Sequence, residues 1–179
     1  HLAGSAISTG SGNVAIGDQA METQSTAGQN VAIGQTAMEA NTTGAYNVGI
    51  GGEAFRSNTT AGGNTAVGYA AGTATTTGDS NAFFGYHAGV ANTTGGNNCY
   101  VGNRAADAAS TGSNNVCLGY DAGSDSLATI GGDSNYIVLG NTNAANAVIK
   151  IDWTVGSDVR DKTDIEILPD NAGLNFVNQ

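Results

Sequence analysis

The stretch Asn13-Val14-Ala15-Ile16-Gly17 returns as Asn30-Val31-Ala32-Ile33-Gly34, and in varied form as Asn64-Thr65-Ala66-Val67-Gly68 and Asn115-Val116-Cys117-Leu118-Gly119. Its asparagine stands at Asn13, Asn30, Asn47, Asn64, Asn81, Asn98 and Asn115, a period of 17 residues without insertion. Three residues past each glycine comes an alanine: Ala20, Ala37, Ala54, Ala71, Ala88, Ala105 and Ala122. A period this strict predicts repeats that stack as like coils, each burying its apolar face only against its neighbours. The fold class expected is all-β, a parallel β-solenoid or β-roll of 17-residue coils assembled as a homotrimeric fibre.

The composition of the 179 residues agrees with a rod. Glycine accounts for 28 and proline for 1, and 11% are charged. No apolar run is long enough for a membrane-spanning helix, so membrane insertion of this segment is not expected. Ala3 stands 17 before Ala20, which predicts that the repeat continues upstream of His1. The formal charge of −10 speaks against a nucleic-acid partner, because phosphate binding needs a basic surface.

Each column of the repeat samples one position of the coil. The first residue after Asn (Val14, Val31, Val48, Thr65, Ala82, Cys99, Val116) and the third (Ile16, Ile33, Ile50, Val67, Phe84, Val101, Leu118) are mostly apolar and β-favouring. Being two apart they share a strand face, and as apolar, β-favouring columns they are expected to fill the coil. The residue between them (Ala15, Ala32, Gly49, Ala66, Phe83, Tyr100, Cys117) is then expected to face outward, as an interface between chains. One coil buries too little to offset the ordering of its own backbone, which costs ~1–2 kcal/mol per residue. Packing three chains about an axis supplies the missing burial.

The remaining columns read as turns. Hydroxyl pairs such as Thr42-Thr43 and Thr59-Thr60, followed by glycine within two or three residues, suit turns that satisfy their own backbone, and stacked asparagines suit a ladder between coils. Adjacent hydroxyls would face opposite ways in a strand, so the pattern does not suit an ice-binding face, and no recurrent aspartate marks a calcium-binding turn. Asn41, Asn58 and Asn92 open Asn-Thr-Thr sequons that turn chemistry accounts for. The freely varying column Gln19, Thr36, Glu53, Ala70, His87, Arg104, Asp121 reads as solvent, which makes His87 a bystander.

Tyr69, Tyr86 and Tyr120 share a column at a coil edge and are candidates for carbohydrate contact, with packing over the neighbouring coil as the other reading. Cys99 and Cys117, 18 apart, fall on opposite faces of adjacent coils and are not expected to bridge. No metal site or cofactor is expected. Asp18, Glu22, Glu39 and Glu53 lie mostly in variable columns without a partner, so a glycan-cleaving carboxylate pair is not expected either.

With these residues in view, the Asn-Val-Ala-Ile-Gly phrase and its following alanine resemble the head repeats of trimeric autotransporter adhesins and similar repeats of phage tail fibres, over residues 1–140. The resemblance implies a left-handed parallel β-roll or related solenoid with three chains side by side. Residues 141–156 read as a β connector. There Ile149, Ile151 and Trp153 alternate on one strand face, and Trp153 would close the end of the rod.

Ser157-Asp158-Val159-Arg160-Asp161-Lys162-Thr163-Asp164-Ile165 is similar to the opening of the intramolecular chaperone domain of endosialidase type found on phage tail spikes and fibres. Residues 157–179 would be the truncated start of that domain. The resemblance implies trimerisation followed by self-cleavage between Gly156 and Ser157. Ser157 would be the nucleophile and Lys162 the base, with Asp158 and Arg160 holding the geometry.

The function expected is a structural fibre for host or surface attachment, most simply a phage tail fibre and alternatively a bacterial cell-surface trimeric adhesin. Its location would be the virion or the cell surface. Its partners would be two further copies of itself and a surface glycan or protein receptor, and no substrate turnover is expected.

Overall fold

The computed structural model describes residues 3–23, 26–124 and 129–144. Eight three-residue strands follow one another: β1 (Val14–Ile16), β2 (Val31–Ile33), β3 (Val48–Ile50), β4 (Thr65–Val67), β5 (Ala82–Phe84), β6 (Cys99–Val101), β7 (Val116–Leu118) and β8 (Ile137–Leu139). They form one parallel sheet in sequence order. Registers such as Val14↔Val31 and Ala32↔Gly49 shift by one repeat per strand, as a parallel β-solenoid requires. The last step is longer, pairing Val116 with Ile137, so four additional residues are absorbed between β7 and β8 without loss of register.

Two contacts set the stacking. At the motif glycine the coils meet backbone to backbone. A Cβ on Gly51, Gly68, Gly85 or Gly102 would lie 2.3–2.4 Å from the carbonyl oxygen of the corresponding glycine one coil on, and φ there is +128° to +141°. No other residue fits both the space and the dihedral.

The second contact is the asparagine ladder. Each Oδ1 accepts the backbone N–H of the next asparagine, from Asn30 N–H to Asn13 Oδ1 at 2.9 Å through Asn115 N–H to Asn98 Oδ1 at 2.9 Å. Most of the amide groups also donate across the coil to a turn carbonyl, as Asn47 Nδ2 does to Ala61 at 2.8 Å. Asn30, Asn47 and Asn115 are fully buried, so these bonds satisfy groups that would be costly to leave unpaired, whereas in the equally buried Asn64 only Oδ1 is engaged and Nδ2 has no partner among the described residues.

The turns complete the ladder as their composition suggests. Asn41 Oδ1 accepts Gly44 N–H at 3.1 Å while its Nδ2 donates to Gly44 O at 2.9 Å, and Asn58 does the same with Ala61. Asn41, Asn58 and Asn92 are buried, which leaves these sequons inaccessible in the folded chain. Thr42, Thr59, Thr76 and Thr93 each donate their hydroxyl to a carbonyl one coil on, at 2.9–3.2 Å.

The coil interior corrects the facing expected of the strand columns. Ala32, Ala66, Phe83, Tyr100 and Cys117, the middle column, are buried at 0% exposure. The Val/Ile columns face outward, with Val14 43%, Ile16 56% and Leu118 40% exposed. The reason is space. The motif alanines already fill one side of the narrow coil, and a further column, Met21, Met38, Phe55, Gly72, Gly89, Ala106, Gly123, points inward opposite the strand.

The two facing columns trade volume. Where the strand supplies Ala15, Ala32 or Gly49, the opposite wall supplies Met21, Met38 or Phe55; where the strand supplies Phe83, Tyr100 or Cys117, the wall shrinks to Gly89, Ala106 or Gly123. In the crossover coil both are small, Ala66 and Gly72, and the rings on either side close the gap. A Cβ on Gly72 would meet Phe55 at 2.5 Å and Phe83 at 2.7 Å. Phe55 and Phe83 centroids are 5.9 Å apart, and Phe83 stacks on Tyr100 at 5.1 Å and 12°. The bulky residues that seemed to mark an interface are therefore the core of the lower coils.

The varying column at Gln19 is not simply solvent either. All seven of its residues have φ between +52° and +60°, and Ala70 is buried. Met21, Met38 and Phe55 are also left-handed, at φ +51° to +53°. For residues with a Cβ this costs roughly 1–2 kcal/mol each. The alternation keeps backbone donors and acceptors aimed along the stack, as in Thr36 N–H to Asp18 O at 2.8 Å and Met21 N–H to Ala37 O at 3.0 Å.

These contacts rank substitutions. Phe83→Ala should cost about 3–5 kcal/mol of stability, whereas Tyr100→Phe should change the melting temperature little, because the buried Tyr100 hydroxyl has no well-formed hydrogen bond among the described residues, only a weak interaction with Asn115. Gly68→Ala should disrupt the stack, while Gly131→Ala should be tolerated, since a Cβ there meets nothing within 4 Å among the described residues. Thermal melts of the four variants decide both comparisons.

Alkaline pH should weaken the same core. Burial pushes the Cys117 thiol up from 9.0 to about 12 and raises the Tyr100 phenol above its ordinary 10.0. The fold therefore favours the neutral forms. Their contribution is complete below pH about 9 and lost as the unfolded chain ionises above it. Denaturant midpoints should fall above pH 9 in the parent and fall less in the double variant Tyr100→Phe, Cys117→Ala.

Candidate functional sites

Three surface features follow from the coil. The first is the outer face of the sheet, where the Val14 and Ile16 columns run side by side over all eight strands. Exposed on it are Val14, Ile16, Ile50, Phe84, Val101, Leu118, Ile137 and Leu139, each between 36% and 66% accessible. In-register pairing keeps the two rows straight, and only Thr65 interrupts them with a polar atom. A contiguous apolar band of this length is unusual for a surface that meets only water.

The second is the tyrosine column. Tyr69 and Tyr86 are brought together with ring centroids 5.7 Å apart at 18°, and His87 stacks on Tyr86 at 4.0 Å and 3°. Tyr69 and Tyr86 are each 48% exposed. Tyr69 Oη donates to Glu53 Oε1 at 2.8 Å, and that carboxylate raises the Tyr69 phenol above its ordinary value. Above Tyr69 lies Gly52, where a Cβ would sit 3.3 Å from the ring. The faces of these rings are thus turned along the stack toward Gly52, each other and His87. Tyr120, 58% exposed, stands two coils from Tyr86, and Asn103 occupies the coil between them. His87 has ring partners that its position in a variable column did not signal.

The third is a notch of about 410 Å³ beside Tyr46, lined by Ala45, Thr60, Gly62, Gly63, Asp79 and Ser80. Sequence reading passed over it. The signal was present in the column Gly12, Gln29, Tyr46, Gly63, Ser80, Asn97, Asn114, where an aromatic ring stands next to a glycine.

Charged groups elsewhere form surface pairs. Arg56 meets Glu39 at 3.2 Å and Glu53 at 3.7 Å; Arg104 meets Asp107 at 2.8 Å and Asp121 at 3.4 Å. Both arginines are about half exposed, so these pairs add little to stability. Among the described residues no group of three His, Cys, Asp or Glu side chains could hold a metal ion, and no helix is long and apolar enough to cross a membrane. Both cysteines are free, Cys117 turned into the coil and Cys99 onto the outer face.

Ser157, Asp158, Arg160 and Lys162 lie outside the described residues, as does the Gly156-Ser157 bond. The coil geometry predicts thiol reactivity: a small alkylating reagent should modify Cys99 well before Cys117 in the isolated chain, with Cys117 reacting only on unfolding. Peptide mass mapping after timed alkylation tests this. Comparison with family models, with curated proteins and with solved structures found no match.

Proposed function

We propose that this chain is a length of homotrimeric fibre whose role is reach and surface attachment, most simply a phage tail fibre, and that its chains meet through the outer Val/Ile face of the sheet. The observation that carries this reading is the apolar band over eight strands. Each 100 Å² of it removed from water would contribute roughly 2.5 kcal/mol. A partner able to cover it must be as long and as straight, with the same strand-to-strand spacing of about 4.8 Å. Another copy of the chain has all three properties. Three copies turning this face to a common axis would interleave their valine and isoleucine rows and leave the turns, the tyrosine column and the acidic groups outside.

Attachment suits a body with no metal cluster among its described residues and with side chains devoted to stacking. Its owner would be a virion or a bacterial cell surface, and a surface glycan or protein would be its receptor. The motif Ser157-Asp158-Val159-Arg160-Asp161-Lys162 adds a maturation step. In it a neutral Lys162 takes the proton of the Ser157 hydroxyl once assembly is complete, and the Ser157 oxygen attacks the Gly156 carbonyl carbon. The Gly156–Ser157 C–N bond breaks as the Ser157 amine takes that proton back, and water then hydrolyses the resulting ester, freeing the Gly156 carboxylate and restoring the serine hydroxyl.

Two measurements test this. Analytical ultracentrifugation of the chain should give three times the chain mass, and Ile50→Lys with Val101→Lys should shift it to single chains that keep their β circular dichroism. A parent that sediments as a single chain contradicts the assembly. In the full-length gene product, Ser157→Ala or Lys162→Ala should leave trimers joined to their C-terminal segment. Variants cut as fully as the parent contradict the cleavage step.

A further inference from the structure

The notch beside Tyr46 interrupts the outer surface of the turns. Its column is left-handed throughout, from φ +59° at Gln29 to +62° at Tyr46, +69° at Gly63 and +60° at Ser80. Glycine and asparagine, which tolerate that dihedral, occupy most of it. Tyr46 does not tolerate it well, and burial gives nothing back, since the side chain is 67% exposed. The dihedral belongs to the coil, which holds the whole column left-handed, but the exposed ring that it projects at Tyr46 is not used in the coil's own packing.

The coil below Tyr46 supplies the opening. At Gly63 an added Cβ would meet only Ser80 Oγ, at 3.7 Å, so there is room at this position for a group in contact with the surface beside the ring. Polar groups border it. Gly62 N–H donates to Asp79 Oδ1 at 2.7 Å, which fixes the carboxylate and leaves Oδ2 without a hydrogen bond among the described residues. The Thr60 and Ser80 hydroxyls are exposed at the same rim. Tyr46 has no aromatic neighbour among the described residues, unlike Tyr69 and Tyr86, whose faces are engaged.

We infer that this notch binds a neutral pyranose of an oligosaccharide, with the C–H face of the sugar on the Tyr46 ring and its hydroxyls donating to Asp79 Oδ2 and exchanging hydrogen bonds with Thr60 and Ser80. A flat apolar patch beside a pre-fixed acceptor and small hydroxyls is the mixture that such a ring presents in reverse. The notch, of about 410 Å³, is shallow and open to solvent, so it would hold a sugar ring by one face and not enclose it. Charge selects the sugar class. Asp79 and the net charge of −10 repel uronic and sialic acids, while a neutral sugar meets only acceptors it can satisfy. This inference stands on the notch alone and does not depend on how the chains assemble.

The test is saturation-transfer NMR with the parent chain and three neutral probes, maltohexaose, cellohexaose and chitohexaose, against oligogalacturonate as the anionic control. Transfer to at least one neutral probe and none to the control is expected. Tyr46→Ala should weaken binding roughly tenfold or more. Gly63→Asn should abolish it: asparagine already stands in this column at Asn97 and Asn114, so the coil accepts it while the notch is filled. Sedimentation of both variants should match the parent.

Absence of transfer to all three neutral probes overturns the inference. So does binding that persists in both variants, or a Tyr46→Ala chain that changes its assembly state while binding as the parent does. A parent chain that sediments as single chains yet gives transfer to a neutral probe would count against the assembly reading and leave this inference standing.

Discussion

The packing of glycine backbone on glycine backbone, coil upon coil, is the constraint on which the rest of the structure depends. With carbonyl oxygens where a Cβ would have to be, the coils come together at a fixed height, and only a residue without a side chain permits it. The buried asparagine ladder then holds the phase of each coil against the next, because a slip of one residue would strand both the Oδ1 acceptor and a backbone donor. Neither contact depends on what fills the coil. The interior can therefore drift from methionine to phenylalanine to tyrosine along the rod without changing the period.

That freedom is bounded by volume. The coil is narrow enough that a ring on one wall requires glycine or alanine on the other, and the exchange of Phe55 for Phe83 across Ala66 and Gly72 shows the limit in operation. The same narrowness pushes the branched side chains outward. Valine and isoleucine suit a pleated strand, but two rows of them do not fit beside the alanine column, so the apolar band lies on the outside of a sheet that a single chain does not cover. A coil that cannot hold its own β-favouring residues is well suited to sharing them with copies of itself, which is the basis of the fibre proposed above.

Much of this was legible in the residues. The 17-residue period, the parallel stack, the structural use of asparagine and the hydroxyl turns could be read because each column repeats its chemistry. The inward and outward faces could not be read from the apolar columns alone. Val14 and Ile16 looked like core and Ala15 like surface, whereas the reciprocal columns Ala15/Met21 and Phe83/Gly89 carried the answer through their correlation.

The left-handed residues were hidden for a different reason. Gln19, Glu53 and Arg104 adopt φ near +60° because the inter-coil bonds demand it, against their own preference, so their types give no sign of it. Of the candidate sites, the tyrosine column was visible by repetition. The Tyr46 notch was not, because it exists through the absence of a side chain at Gly63.

Cysteine scanning along β4 tests the central claim, that branched residues face out and the middle column faces in, most directly. In a chain with Cys99 and Cys117 replaced by alanine, Thr65→Cys, Ala66→Cys and Val67→Cys would be alkylated in turn, in the native assembly and in single chains released by the lysine substitutions. The account predicts that residue 66 is protected in both, while residues 65 and 67 are protected in the assembly and reactive in the single chain. Rapid alkylation at residue 66 with protection of its two neighbours in single chains would contradict it.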